Sequence, residues 1–130
     1  MSKFRVYYED TDVSGRVYHA NYLKFFERGR TELIYQSKYT HEILSDKFDI
    51  IFVVKECSIK FNKPAFFEDE IQVTTKIDEL SRVKIKFKQK ILRESDLIAE
   101  AEVLVIPIRS SGKITKLTDE LFIFLEAQKN

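Results

Sequence analysis

Ala20-Asn21-Tyr22-Leu23-Lys24-Phe25-Phe26-Glu27-Arg28-Gly29-Arg30-Thr31-Glu32-Leu33-Ile34-Tyr35-Gln36-Ser37 is the stretch on which the fold turns. Tyr22, Phe25, Phe26, Gly29, Leu33 and Ile34 fall on one side of a 3.6-residue period, so residues 20–37 are predicted to form one long helix. Leu23 and Tyr35 widen its apolar surface, which makes the helix well buried. Gly29 inside it costs roughly 1 kcal/mol relative to alanine. A glycine kept at that cost implies close packing of the helix backbone against a neighbour.

After Asp49 the period becomes two. Ile71, Val73, Thr75 and Ile77 alternate with Gln72, Thr74, Lys76 and Asp78, and Val83, Ile85, Phe87 and Ile91 alternate with Lys84, Lys86, Lys88 and Lys90. Both runs read as strands with one buried and one wet face. Residues 50–61 and 97–108 are apolar on both sides, as central or interface strands are. On the N-terminal side, Phe4 to Tyr8 reads as a short strand. Asp119 to Lys129 carries acids in its first turn, which suits a closing helix. The expectation is an α+β fold in which an antiparallel sheet wraps one central helix.

Composition bounds the function. The 130 residues fit one domain spanning 1–130, and 44% hydrophobic with 33% charged residues is a soluble globular composition. The net charge of +1 lacks the basic excess of a nucleic-acid binder. No run approaches the ~18 apolar residues of a membrane span, and the N-terminus shows no signal-peptide pattern. Cys57 is the single cysteine, so no internal disulfide forms, and a cytoplasmic location is expected.

The chemistry is concentrated just before the helix, in Tyr8-Glu9-Asp10-Thr11-Asp12-Val13-Ser14-Gly15-Arg16-Val17-Tyr18-His19-Ala20-Asn21-Tyr22. A carboxylate beside a helix N-terminus can attack a carbonyl, or activate water to do so, while the helix end stabilises the oxyanion. Asp10, Asp12, Ser14 and Gly15 match the first half of an EF-hand loop, but the twelfth position is Asn21 instead of glutamate and the preceding segment is strand-like, so calcium is rejected. His19, His41 and Cys57 show no zinc-ligand spacing. His41 falls in a polar stretch after the helix and reads as surface. Cys57 sits within a strand and, with no activating partner identifiable, reads as a small core residue and not a nucleophile.

Taken whole, Tyr7-Tyr8-Glu9-Asp10-Thr11-Asp12, Gly15, Val17-Tyr18-His19-Ala20-Asn21-Tyr22, Phe26-Glu27-Arg28 and Arg30-Thr31-Glu32 resemble the hotdog-fold acyl-CoA thioesterases, most closely their 4-hydroxybenzoyl-CoA thioesterase-like branch. The resemblance continues through Phe52-Val53-Val54, Pro64-Ala65 and Glu100-Ala101-Glu102-Val103-Leu104-Val105, so it covers nearly the whole chain. It implies a five-stranded antiparallel sheet around one long helix, and hydrolysis of an acyl-CoA to carboxylate and free CoA without metal or redox cofactor. Asp12 matches the catalytic carboxylate, acting either as nucleophile or as general base. His19 matches the residue whose backbone N–H, at the helix start, polarises the thioester oxygen. Tyr8 matches a tyrosine lining the site, whereas Glu9 and Asp10 read as structural. The resemblance also implies a homodimer or homotetramer with sites between subunits. The acyl pocket would be walled by Tyr22, Phe25 and Phe26, and the CoA phosphates would meet Arg82 and Lys84 at the head of the Lys84–Lys90 row. Acyl-carrier-protein thioesters as dehydratase substrates, and a non-catalytic acyl-thioester binding subunit, are the competing readings.

Overall fold

The computed structural model describes Ser2–Lys129. Its elements are β1 (Ser2–Arg5), α1 (Tyr22–Tyr35), α2 (His41–Phe48), β2 (Ile51–Phe61), β3 (Glu70–Ser81), β4 (Lys84–Arg93), β5 (Asp96–Ile108) and α3 (Asp119–Gln128), with 3-10 turns at Tyr8–Asp10 and His19–Asn21. The five strands form one antiparallel sheet in the order β1-β3-β4-β5-β2. This is the hotdog architecture, with α1 against the face of the sheet that carries Val73, Ile77, Ile85, Phe87, Ile91, Ala101 and Val103.

Alternation places the lysines of β4 on the other face. Ile85, Phe87, Gln89 and Ile91 point towards α1, and Lys84, Lys88 and Lys90 are exposed. From α1, Tyr22, Phe25, Phe26 and Ile34 enter the core, each contributing roughly 1.5–3 kcal/mol by leaving water. At Gly29 the helix backbone lies close against the sheet. A Cβ added there would sit 2.7 Å from Val73 Cγ1, 2.9 Å from Thr75 Oγ1 and 3.1 Å from Gln89 Nε2, so its absence lets the helix backbone settle onto β3 and β4.

Several expectations are corrected. The first strand ends at Arg5, and Tyr8 lies in a 3-10 turn instead of a strand. The long helix begins at Tyr22, because residues 19–21 form a tighter 3-10 turn, and it ends at Tyr35. A second helix, α2, follows where only a polar surface stretch was expected. Thr40 caps it by accepting from the Ile43 N–H at 3.1 Å, and Asp49 closes it in the left-handed region at φ 52°. It is short and buries only Leu44, so its periodic signal is weak. β2, expected as a central or interface strand, is not central: it pairs with β5 alone at an edge of the sheet, with Ile51, Val54, Cys57 and Phe61 exposed, so Cys57 is not the core residue expected. Among the described residues no helix is long and apolar enough to cross a membrane.

Candidate active site

The segment between β1 and α1 is held by main-chain bonds on every side. The buried Asp10 is its anchor. Its Oδ2 accepts from the Tyr7 N–H at 2.9 Å, and its carbonyl accepts from the Tyr18 N–H and the Asn21 side-chain amide, each at 2.9 Å. Between those ties, Thr11 and Val17 pair across a tight hairpin. The Asp12 N–H donates to Arg16 O at 2.9 Å and the Gly15 N–H to Asp12 O at 3.0 Å. Gly15 has φ +81°, a conformation that favours glycine. The Val17 N–H donates to Ala65 O at 2.8 Å, which fastens the hairpin to the β2–β3 connection.

This scaffold presents Asp12 to solvent at the hairpin tip. One carboxylate oxygen, Oδ1, accepts from both the Ser14 N–H (2.8 Å) and the Ser14 hydroxyl (2.5 Å). Those two bonds, the side-chain one foremost, hold the carboxyl below the usual carboxylate range, helped by the Arg16 main-chain N–H and then by the charge of Arg16. Among the described residues no side chain bonds Oδ2, and the carboxyl is exposed. Seven residues on, His19 opens the 3-10 turn that leads into α1. The first N–H groups of a helical segment have no intrahelical acceptor, so the start of this one offers donors to an anion. The exposed His19 ring lies 4.4 Å from Tyr18 and 6.3 Å, edge-on, from Phe61.

The remaining sequence-predicted residues separate. Tyr8 is exposed and its ring stacks on Phe67 at 3.9 Å. Among the described residues its hydroxyl makes no bond to Asp12. Tyr22, Phe25 and Phe26 are core residues at 4%, 0% and 0% exposure, so within one chain they wall no open pocket. The Tyr22 hydroxyl accepts from the Ala65 N–H at 3.1 Å, and burial raises its pKa. Arg82 and Lys84 lie at the far end of β4 from Arg93, which itself bonds Asp69 and Pro64 O beside the hairpin. Ten residues of strand put them about 30 Å from that end. Arg82 is also committed to Asp119 and to the Phe122 ring, 4.3 Å away. A CoA bound at Asp12 therefore does not meet them within the same chain. Ser14, which sequence reasoning took only as part of a failed calcium loop, is a carboxylate partner instead. The D-x-S spacing of an Asx turn was its available signal. Among the described residues no group of three or more His, Cys, Asp or Glu side chains is placed to hold a metal.

The fold and this loop define a class of protein, and comparison with known proteins bears on the same class. The sequence profile of the Thioesterase-like superfamily matches residues 6–125, and the chain belongs to that family. More particularly, it is 41% identical over 101 residues to the acyl-CoA thioesterase YbgC of Haemophilus influenzae, covering 78% of this chain and 74% of the relative. It is 39% identical over 103 residues to the acyl-CoA thioester hydrolase YbgC of Escherichia coli O157:H7, covering 78% and 76%. A crystal structure from Bartonella henselae described as "Probable Thioesterase" superposes with a TM-score of 0.87 at 34% identity, over 90% of this chain and 97% of that one. The chain is thus an enzyme of the thioester hydrolases, in the branch that holds the YbgC proteins.

Proposed function

We propose that this enzyme hydrolyses acyl-CoA thioesters, with Asp12 as the reacting carboxylate and the helix start at His19 as the oxyanion donor. The observation that carries the reading is the half-occupied carboxylate. Ser14 holds Oδ1 and favours the ionised form, while Asp12 stands exposed in a hydrogen-bonded hairpin seven residues before the helical turn at His19. As nucleophile, Oδ2 attacks the thioester carbon and CoA thiolate leaves. Water then hydrolyses the resulting mixed anhydride. As general base, it takes a proton from the attacking water. In both routes negative charge builds on the thioester oxygen, and one well-placed N–H donor there contributes roughly 3–4 kcal/mol. Tyr8 and His19, both exposed, are the further side chains of this segment suited to substrate contact. The names of the YbgC relatives support acyl-CoA as the substrate class.

The enzyme works as a pair of chains joined along β2. An 11-residue edge strand with Val54 and Phe61 half uncovered invites antiparallel pairing with a second copy, which would also complete the acyl pocket that one chain lacks.

The test is free-thiol release from a panel of acyl-CoAs by wild type and Asp12→Asn. Asparagine retains an Oδ1 acceptor for Ser14, so the hairpin persists while the reacting oxygen is lost. Turnover should fall by at least about a hundredfold with an unchanged unfolding midpoint. Near-normal turnover refutes the role of Asp12. A wild type that binds acyl-CoA but hydrolyses no thioester supports the binding-subunit reading instead.

A further inference from the structure

Arg30 sits on α1 one residue past Gly29, where the helix backbone lies close against the sheet, and a buried polar network built beneath the helix holds it. Its Nη1 donates to Gln89 Oε1 at 3.1 Å. Gln89 is 1% exposed, and its Nε2 donates to Phe26 O at 2.8 Å and to Thr75 Oγ1 at 3.0 Å. The amide is thereby oriented with its oxygen towards the guanidinium. Gly29 makes this possible, since a Cβ there would crowd both Gln89 and Thr75. An arginine has five N–H donors, and among the described residues only one of them is bonded.

The charge is compensated only in part, by the nearby Glu27. Among the described residues Arg30 forms no ion pair. Burial lowers its pKa, with Glu27 and Cys57 only partly opposing that. A partly desolvated cation without a direct ion-pair partner gains from any anion that reaches it. Arg30 lines a groove of about 590 Å³ between α1 and strands β2 and β5, with Val54, Cys57 and Val103 on its sheet side, so the site would lie at the seam where a second copy pairs along β2. On the helix side Lys24 and Arg28 join Arg30 against the single acid Glu27, so the groove is net positive.

We propose that Arg30 is a preset oxyanion receptor, taking a phosphate or carboxylate oxygen that enters the groove between α1 and β2. Its fork geometry suits either oxyanion. Arg30 stands about 16 Å along the helix from His19, so the anion belongs to a part of the ligand remote from the thioester. Two sources share that chemistry: the phosphates of CoA, and a carboxylate at the distal end of the acyl group. The choice between them rests on the thioesterase reading, but the existence of the receptor does not.

The experiment therefore has a binding arm and a kinetic arm. In the first, wild type, Arg30→Gln and Arg30→Lys are titrated with inorganic pyrophosphate and with glutarate, following the arginine side-chain resonances by NMR and the heat by calorimetry. Binding should weaken about tenfold or more in R30Q and partly recover in R30K. In the second arm, kcat/KM is compared between acyl-CoA and the matching acyl-pantetheine, and between dicarboxylyl-CoAs of four to twelve carbons and their neutral counterparts. A tenfold drop in the first ratio in R30Q identifies the CoA phosphates, and a drop in the second identifies the acyl carboxylate. If neither anion binds wild type, or R30Q binds both as wild type does, the proposal is overturned, whatever the protein does to thioesters. It is also overturned if R30Q changes only the sedimenting species and leaves both ratios within twofold, which would make Arg30 a subunit contact.

Discussion

Replacing Asp10 by alanine tests whether the two aspartates of the hairpin divide into one that builds and one that reacts. Asp10 is buried and its carboxylate accepts one main-chain donor, the Tyr7 N–H at 2.9 Å. Its other two ties run through its own carbonyl, which alanine keeps. The loss is therefore one hydrogen bond to a charged acceptor, about 1.5–3 kcal/mol. Tyr7 is exposed, so water can replace part of that, and the expected cost is about 1.5–2 kcal/mol. For a domain of this size that is a fall in Tm of roughly 5 °C. The chain has no tryptophan, so the measurement is urea unfolding followed by circular dichroism, run beside Asp12→Asn. Asp10→Ala should unfold earlier and keep part of its activity, because the Ser14–Asp12 contact is untouched. Asp12→Asn should do the reverse. An Asp10→Ala variant with a wild-type midpoint, beside an Asp12→Asn variant that unfolds early, would refute this division.

Ser14→Ala removes the shorter of the two bonds to Asp12. Since those bonds lower the Asp12 pKa and the proposed reaction uses the ionised form, wild-type kcat/KM should stay flat as pH falls through the ordinary carboxylate range. In Ser14→Ala the acid limb should move to higher pH, with the Asp12 carboxyl resonance titrating in parallel. Coincident limbs would remove Ser14 from the mechanism. Gly29→Val places atoms against Val73, Thr75 and Gln89 and should cost at least about 2 kcal/mol in chemical denaturation, whereas a neutral result would mean that α1 lifts freely from the sheet. Phe26→Ala should cost about 3–5 kcal/mol, as expected of a core side chain at 0% exposure. A stable variant whose acyl preference shifts to longer chains would restore Phe26 to the pocket wall.

What the sequence determined alone was periodicity and local chemistry. The apolar stripe from Tyr22 to Ile34, the alternation in Ile71–Ile77 and Ile85–Ile91, and the anomalous Gly29 were legible because each reflects a one-dimensional rule of helix or strand. The motif from Tyr8 to Tyr22 was legible as well, and its resemblance led to the family in which the chain stands. The tertiary structure decided what depends on distance through space. Only packing shows that Phe25 and Phe26 are spent on the core, that Arg82 lies a strand's length from the hairpin, and that β2 is an edge. A hydrophobic side chain carries the same sequence signal whether it meets its own sheet, a ligand or another chain. Helix α2 escaped notice because eight residues burying one leucine give too few turns for a period to emerge. Ser14 and Arg30 gain their meaning from one oxygen of Asp12 and one amide of Gln89. Those contacts exist only once the loop has closed and the helix has settled onto the sheet.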